Sequence, residues 1–322
     1  MASDELLLGI DAGGSSTKWA LFGLAGEVVL QGRLEALTGH LFTPGDEEHL
    51  RALLSRLAEE TGTGAGGLGS AGPAAVVMGV SGLQVDAAPL FLRALADTFG
   101  LPTVRIRVIN DLELAHAAHF APGEGVLVYA GTGSMAYFEG TGGEVVRAGG
   151  HGFLLGDEGG AFWQGQQGLK ALLALQDAAG PLTGPLAQGL AAVIGSLDWP
   201  QVRAWVYGGG RAALATLAPA VEQAAQAGDP LAQDVLERAG EALAGLAHTV
   251  LNGLGDSRPA LALAGGAASA PVRAAFLEAL RQTWPEVQLV PPRAPVLGAP
   301  RLSPLASLRP PDRAPSTQAP AP

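Results

Sequence analysis

The sequence contains no cysteine among its 322 residues. Disulfide bonds, thiolate zinc sites, cysteine nucleophiles and cysteine-bound iron–sulfur clusters are therefore excluded. No apolar run approaches the roughly 18 residues that a membrane span requires. The first residues, Met1–Glu5, are acidic, whereas a signal peptide begins with basic residues. We expect a cytoplasmic protein without a membrane partner.

Lysine is also scarce, since Lys18 and Lys170 are the only two, and the formal net charge is -11. This acidic balance argues against nucleic acid as a partner, because nucleic-acid binding requires clustered basic residues. The length suits one large or two medium domains with enough core to fold.

The order of predicted elements repeats along the chain. Each half contains, in order, strand, strand, strand, helix, strand, helix and strand, beginning at Leu6–Ile10 and again at Gly125–Ala130. The repeat predicts two similar α/β domains with a helical insertion at about 181–254 in the second. Two such domains imply a cleft between them, and clefts of this kind are favoured ligand sites.

Apolar periodicity and turn residues set the expected boundaries. Further strands are predicted at Trp19–Phe22, Val28–Leu34, Ala75–Val80, Thr103–Ile109, Met135–Glu139, Glu144–Arg147, Ala260–Ala264 and Val287–Val290. Helices are predicted at Pro44–Glu60, Leu90–Phe99, Glu113–Phe120, from near Asp157, and at Ala270–Thr283. The expected domains are 1–120, with a return segment at 295–308, and 121–294, and the proline-rich tail 309–322 is predicted to be disordered.

The segment after the first strand, Asp11-Ala12-Gly13-Gly14-Ser15-Ser16-Thr17, is rich in small residues. Two glycines let the backbone approach an anion closely, and the hydroxyl groups add hydrogen-bond donors. Asp11 lies at the mouth of the turn, where a carboxylate can hold a hydrated Mg²⁺. A plain glycine-rich hairpin has the same composition. The turn lacks the Gly-Lys-Ser/Thr ending of a P-loop.

A second turn of this kind, Ala130-Gly131-Thr132-Gly133-Ser134, follows the first strand of the second half. A polyphosphate chain can use one anion-binding turn at each end. The pair therefore predicts a nucleotide more specifically than either turn does alone.

Asp111 follows a predicted strand, which places its carboxylate at the carboxyl end of a sheet, where α/β folds locate their sites. A carboxylate there can accept a proton from an attacking hydroxyl during phosphoryl transfer. An aspartate at this position also suits a helix N-cap.

Six of the twelve residues in Gly149–Gly160 are glycine. The acidic pair Asp157 and Glu158 is expected to open a helix, whose dipole favours acidic residues. The same carboxylates can accept hydrogen bonds from sugar hydroxyls, as can His151, although a lone histidine is more often structural. Further on, Gly265 and Gly266 link a strand to a helix and admit a flat ring such as adenine; tight strand–helix packing gives the same pattern.

Taken in order, these segments resemble the acetate and sugar kinase/Hsc70/actin superfamily. Within it they resemble the BadF/BadG/BcrA/BcrD-type ATPase group, which includes N-acetylglucosamine kinases. The resemblance extends to about Leu308. The matching segments are Gly9–Lys18 and Ala130–Ser134 for the two phosphate motifs, Asn110-Asp111 for the catalytic aspartate, Leu155–Trp163 for the Gly-Asp-Glu-Gly segment and Ala264–Gly266 for the adenosine motif.

The resemblance implies two ribonuclease H-like domains of the actin/sugar-kinase type that bind Mg-ATP and an amino sugar. Asp111 would be the catalytic base, and Asp11 would position Mg²⁺ through water. ATP would contact Asp11, Gly13, Gly14, Ser15, Ser16, Thr17, Lys18, Gly131, Thr132, Gly133, Ser134, Gly265 and Gly266. The sugar would contact Asp157, His151, Asn110, Gly150, Ala161 and His40. We expect a homodimer, because related kinases often form one.

Two positions depart from the N-acetylglucosamine kinases of this group. Gly39 stands where they carry an asparagine, and His151 where they carry a tryptophan. The expected activity is phosphorylation of N-acetylglucosamine at O6, with glucosamine or an N-acetylmuramic-type sugar as alternatives. A non-catalytic ATP/sugar-binding sensor and an ATPase acting on a protein partner also stay open. The lack of cysteine excludes the dehydratase-activating branch.

Overall fold

The structure is a computed structural model that describes residues 6–23, 25–40, 43–62, 72–178, 180–255 and 259–305. The tail predicted to be disordered, 309–322, lies outside the described residues, as do positions 63–71 of a glycine-rich segment. Within those ranges, no helix is long and apolar enough to cross a membrane.

The chain divides into two compact units. The first comprises the described residues up to Ala118 and those from Ala294 onward, and the second runs from His119 to Arg293. Each unit contains one five-stranded sheet of mixed direction.

The sheet of the first unit has the strand order β3-β2-β1-β4-β5. Its strands are β1 (Leu7–Ala12), β2 (Thr17–Phe22), β3 (Val28–Leu34), β4 (Ala75–Val80) and β5 (Ile106–Asn110). Strands β1, β2 and β3 form an antiparallel meander, whereas β4 pairs in parallel with both β1 and β5. Parallel neighbours need crossover connections, which α1 (Pro44–Glu60) and α2 (Ala88–Phe99) supply, and α3 (Asp111–His119) follows β5.

The register of the parallel strands fixes the position of the first site. Ala12 is aligned with Val80, and Val80 with Asn110, so β1, β4 and β5 end side by side. Residues that directly follow these strands therefore gather at one edge of the sheet.

The two faces of this sheet are buried by different elements. Alternate strand residues point to opposite faces, and Leu8 and Ile10 pack toward α1 and α2. The other face is covered by α3 and by the 3-10 segment Pro295–Leu302, whose Val296 and Ala299 belong to the core on that side. Gly9 permits this close approach, because a Cβ at that position would lie 2.7 Å from the Cβ of Ala299.

The second unit repeats the same topology. Its strands are β6 (Gly125–Ala130), β7 (Ser134–Glu139), β8 (Val145–Gly149), β9 (Ala260–Ala264) and β10 (Leu289–Val290). Their order is β10-β9-β6-β7-β8, with β9 parallel to both β6 and β10. The helices are α4 (Ala161–Asp177), α5 (Pro185–Ile194), α6 (Trp199–Ala215), α7 (Ala218–Gln226), α8 (Pro230–Gly253) and α9 (Ala270–Arg281).

Two predicted boundaries are wrong by three residues or more, for identifiable reasons, and the others differ by at most two residues. The strand expected from Thr103 begins only at Ile106, because Thr103–Arg105 form a 3-10 turn after Pro102. The helix expected near Asp157 begins at Ala161, with Gly160 as its N-cap. Asp157 has φ 67 and cannot belong to a right-handed helix.

Candidate active site

The turn between β1 and β2 leaves backbone amides free to bind an anion. Gly13 N–H donates to Ser16 O at 3.2 Å, and Gly13 O accepts from Leu37 N–H at 3.2 Å. Gly14 and Ser15 are exposed, and their amides donate to no acceptor among the described residues. Two neighbouring free amides are the element from which backbone anion sites are built.

Asp11 and Lys18 occupy opposite positions in the β1–β2 ladder, just before this turn. Asp11 is 8% exposed, and burial raises its pKa to about 6. The positive charge of Lys18 lowers that pKa, and the negative charge of Asp111 raises it. Lys18 and Asp111 therefore both influence the charge of Asp11 at this edge of the sheet.

Asp111 is the first residue of α3 and directly follows β5. Burial raises its pKa, and hydrogen bonds from the Ser81 hydroxyl and from the amides of Leu112 and Asp111 itself partly offset the shift. The side chain of Asn110 caps the helix, since its Oδ1 accepts from Leu112 N–H at 3.0 Å. Asp111 is thus a partly buried carboxylate oriented by Ser81 and the helix start.

Ser81 and Gly79 are site residues that sequence reasoning missed. Ser81 directly follows β4, and a polar residue after a buried apolar strand is the signal that could have found it. Gly79 lets α3 start over β4, because a Cβ there would lie 2.7 Å from Leu114 Cδ2 and 3.3 Å from Asp111 Cα. Both residues fix where the Asp111 carboxylate lies.

The segment containing Gly39 and His40 lies against the loop after β4. Gly39 N–H donates to Ser81 O at 2.8 Å, and a Cβ on Gly39 would lie 2.5 Å from Leu83 Cα. The ring of His40 covers Gly82, which has φ 68. Gly39 is therefore a glycine for steric reasons, and this backbone has no room for the asparagine that the resemblance would place there.

The turn between β6 and β7 in the second unit is tied to the start of α4. The carbonyl oxygens of Gly131 and Thr132 accept from Ala161 N–H at 2.9 Å and from Phe162 N–H at 3.1 Å. The amides of Gly131, Thr132 and Gly133 donate to no acceptor in the described part of the chain. The carbonyls of this turn thus hold the helix, while its amides are available to an anion.

Asp157 is buried and both of its carboxylate oxygens have partners. Oδ1 accepts from Ser134 N–H at 3.3 Å, and Oδ2 lies 2.9 Å from Arg211 Nη2. Asp157 is the one non-glycine residue with positive φ among those described. A side chain on Gly133 would collide with its carboxylate, so this glycine is needed for close approach.

Arg211 was not anticipated from the sequence. It follows Gly210, whose φ of 55 and ψ of -141 interrupt α6. Its guanidinium carbon lies 5.9 Å from the ring centroid of Phe153, in the glycine-rich loop. The break in α6 therefore brings a cation from a sequence-distant helix to Asp157.

The other residues predicted to contact the sugar differ in their exposure and in their backbone hydrogen bonds. His151 and Gly150 are exposed, and Gly150 N–H donates to Ser134 O at 2.9 Å. Ala161 opens α4, and its amide is the one that binds Gly131 O. None of these positions has been tested as a sugar contact, and each stays a prediction.

The residues after β9 combine close packing with open space. A side chain on Gly265, which has φ 103, would collide with Ala130 O, and Ala130 O also accepts from Ala267 N–H at 2.9 Å. A Cβ on Gly266 would meet nothing within 4 Å. Gly265 is therefore required for close packing against Ala130, whereas Gly266 has the open space that a flat ring such as adenine would need.

Residues 8–302 match the family model described as the BadF/BadG/BcrA/BcrD ATPase family. The chain belongs to the BadF/BadG/BcrA/BcrD ATPase family. A curated relative in the comparison, the N-acetylmuramic acid/N-acetylglucosamine kinase of Clostridium acetobutylicum, is 30% identical over 185 residues. That match covers 56% of this chain and 57% of the relative, so it spans little more than half of the relative's length.

Solved structures confirm the predicted fold. A Chromobacterium violaceum protein assigned as an N-acetylglucosamine kinase has a TM-score of 0.73 and 25% identity, over 93% of this chain and 99% of that chain. A ROK family glucokinase from Streptomyces griseus has a TM-score of 0.54 and 16% identity, over 92% and 99%. The two five-stranded sheets are those of the actin/ROK-like sugar kinase fold.

Proposed function

We propose that this protein is an ATP-dependent phosphotransferase whose acceptor is an amino sugar, N-acetylglucosamine at O6. The observation that carries the proposal is the group at the carboxyl edge of β1, β4 and β5. There Asp11 lies opposite Lys18 in the strand ladder and close enough to Asp111 to be affected by its charge, beside a turn with unpaired amides. Family membership supports ATP as the phosphoryl donor.

The proposed catalytic base is Asp111. Its carboxylate accepts the proton of the sugar hydroxyl as the oxygen attacks the γ-phosphorus, and the bond from that phosphorus to the β–γ bridging oxygen breaks, releasing ADP. The hydrogen bond from Ser81 orients the carboxylate, and burial makes it a stronger base by raising its pKa.

The residues that would hold the phosphates are those with free amides. Gly14 and Ser15 offer such amides in the first unit, and the Gly131–Gly133 turn offers them in the second. Lys18 supplies a positive charge beside the first turn. Bound Mg²⁺ would neutralise phosphate charge and orient the γ-phosphoryl group.

Asp11 is the carboxylate that would hold Mg²⁺ through water. The described residues contain no group of three or more histidine and acidic side chains arranged for a metal. This fits magnesium, which commonly takes one or two carboxylates together with phosphate oxygens and water.

Asp157 is the proposed sugar-binding carboxylate. An ionised carboxylate offers about four acceptor positions, of which the contacts with Ser134 and Arg211 use two. The remaining lone pairs can accept hydrogen bonds from sugar hydroxyls. Asn110, His40, His151, Gly150 and Ala161 complete the proposed sugar contacts.

The test is a coupled assay of ADP release with a panel of amino sugars and hexoses, followed by phosphorus NMR of the product. The expected result is release that depends on N-acetylglucosamine and a phosphate on O6. Equal release with and without sugar would favour an ATPase instead. Nucleotide binding without release would favour a non-catalytic sensor.

An N-acetylmuramic-type sugar is the second candidate, and the Arg211–Asp157 pair favours it over glucosamine. Arg211 neutralises Asp157 and keeps 39% of its side chain exposed, so a sugar carboxylate can approach a cation there. Glucosamine has no carboxylate and would gain no such contact. The name of the Clostridium relative includes N-acetylmuramic acid.

Substitution of Arg211 separates the two candidates. In Arg211→Met, the ratio of kcat/KM for N-acetylmuramate over N-acetylglucosamine should fall about tenfold to a hundredfold if the sugar carboxylate binds Arg211, since one lost charged contact is worth roughly 1.5–3 kcal/mol. An unchanged ratio would leave N-acetylglucosamine as the better candidate. Arg238→Met, at another exposed arginine of the same unit, is the matched control.

A further inference from the structure

Gln164 is a buried polar side chain that no part of the proposed chemistry uses. It lies in the first turn of α4 and is 2% exposed. Its side-chain amide donates two hydrogen bonds, to Gly159 O at 2.9 Å and to Ala267 O at 2.9 Å. Among the described residues it is the only donor to either carbonyl.

The two carbonyls belong to segments that are distant in sequence. Gly159 ends the acidic segment that carries Asp157, and Ala267 follows the small residues Gly265 and Gly266. One amide group therefore joins the proposed sugar-binding segment to the proposed adenosine segment. Gly159 and Ala267 are both buried residues, so loss of the donor would leave each carbonyl unpaired, which is destabilising.

The backbone around this amide is already a connected network. Ala130 O binds the amide of Ala267, and the next carbonyl, Gly131 O, binds the amide of Ala161. The end of β6 is thereby bonded to the segment after β9, and the β6–β7 turn to the start of α4, while Gln164 bonds Gly159 and Ala267 directly to each other. The residues after β9 are therefore connected by hydrogen bonds to the backbone beside Asp157.

We propose that Gln164 is a positioning residue that couples the segment 264–268 to the segment 156–160. Nucleotide binding at Gly265 and Gly266 then orders the loop that holds Asp157. The inference rests on the proposed function in taking the first of these segments as the nucleotide site. It predicts a response of the acidic loop to nucleotide in the absence of any sugar.

The experiment is hydrogen–deuterium exchange of the full chain with and without ADP. In the wild-type protein, ADP should slow exchange at amides 264–269 and also at amides 155–162, because ordering spreads through shared hydrogen bonds. Gln164→Met keeps the length of the side chain but has no donor. In this variant the ADP-dependent slowing of exchange should persist at 264–269. At 155–162 the slowing should be at least about tenfold smaller than in the wild type, as expected when one pair of hydrogen bonds is lost.

Gln167→Met is the matched control, because it makes the same change on the same helix at a half-buried position. It should respond to ADP as the wild type does. Gln164→Asn retains the amide on a shorter side chain and replaces Gln164→Met if that variant does not fold. It should show the same loss, because a shorter amide cannot reach both carbonyls.

The outcomes distinguish this inference from the proposed function. ADP-dependent slowing that is confined to 264–269 in the wild type, or that still reaches 155–162 in both Gln164 variants, overturns the coupling and leaves the kinase proposal intact. If ADP slows exchange in neither segment, the nucleotide assignment fails, and the coupling fails with it.

Discussion

The carboxylate of Asp157 lies 2.9 Å from the guanidinium group of Arg211, although 54 residues separate them in the sequence. The side chain of Asp157 is 4% exposed, whereas that of Arg211 is 39% exposed. Asp157 is thus held by one cation from the α6 break and by one amide at the start of β7. Its orientation depends on both segments.

Substitution of Asp157 should affect sugar more than nucleotide. Asp157→Ala removes the proposed acceptor for sugar hydroxyls, and we expect the sugar KM to rise about tenfold to a hundredfold while the ATP KM changes less than about threefold. Steady-state kinetics with each substrate varied in turn gives both values. Equal increases would remove Asp157 from the sugar site.

Substitution of Asp111 should separate binding from chemistry. Asp111→Asn keeps the size of the side chain and removes the base, so kcat should fall by about 10²–10⁴ while ATP affinity is retained. Coupled ADP release and isothermal titration with a non-hydrolysable ATP analogue measure the two effects. Near wild-type turnover would disprove the assignment of the base.

The pH dependence of kcat should reflect Asp111 together with Asp11, whose pKa is raised to about 6. Because the pKa of Asp111 is raised above 3.8, activity should fall as pH decreases through a value higher than that of an ordinary aspartate. A profile of kcat from pH 4 to 8, with Asp111→Glu as a second variant, checks this. A profile that is flat down to pH 4 would contradict it.

Asp11 should reduce stability once it is ionised. Its pKa is about 6 in the folded protein against 3.8 ordinarily, so its favourable contribution is present at low pH and is lost as pH rises through about 6. The free energy of unfolding of Asp11→Asn, relative to that of the wild type, should therefore increase from pH 4 to pH 7 by on the order of 2–3 kcal/mol. Urea unfolding at the two pH values measures this difference, and a difference that does not change with pH would refute it.

Gly39 should not tolerate a side chain. Gly39→Ala places a Cβ 2.5 Å from Leu83 Cα, and we expect a loss of about 1–3 kcal/mol in the free energy of unfolding. Gly245→Ala is the control, because it lies within α8 with nothing near its Cβ and should stabilise by about 0.5–1 kcal/mol. Equal unfolding midpoints for Gly39→Ala and the wild type would show that the loop at 81–83 can move aside.

Strand and helix periodicity gave most of the fold, including the duplicated order of elements around Gly13 and Gly131. The errors fall where local propensity competes with backbone geometry. Asp157 is a residue type that is common at the start of a helix, yet its positive φ keeps it outside α4. Thr103 is a residue type that favours a strand, yet it lies in a 3-10 turn after a proline.

The sequence by itself determined the family, the two glycine turns and the carboxylates at positions 11, 111 and 157, because residue type and order are sufficient to define them. Only the tertiary structure decided that Ser81 binds Asp111, that Arg211 neutralises Asp157 and that Gln164 joins two distant segments. The physical reason is that each contact joins residues far apart in the chain. Such contacts depend on strand register and helix breaks, which no local pattern specifies.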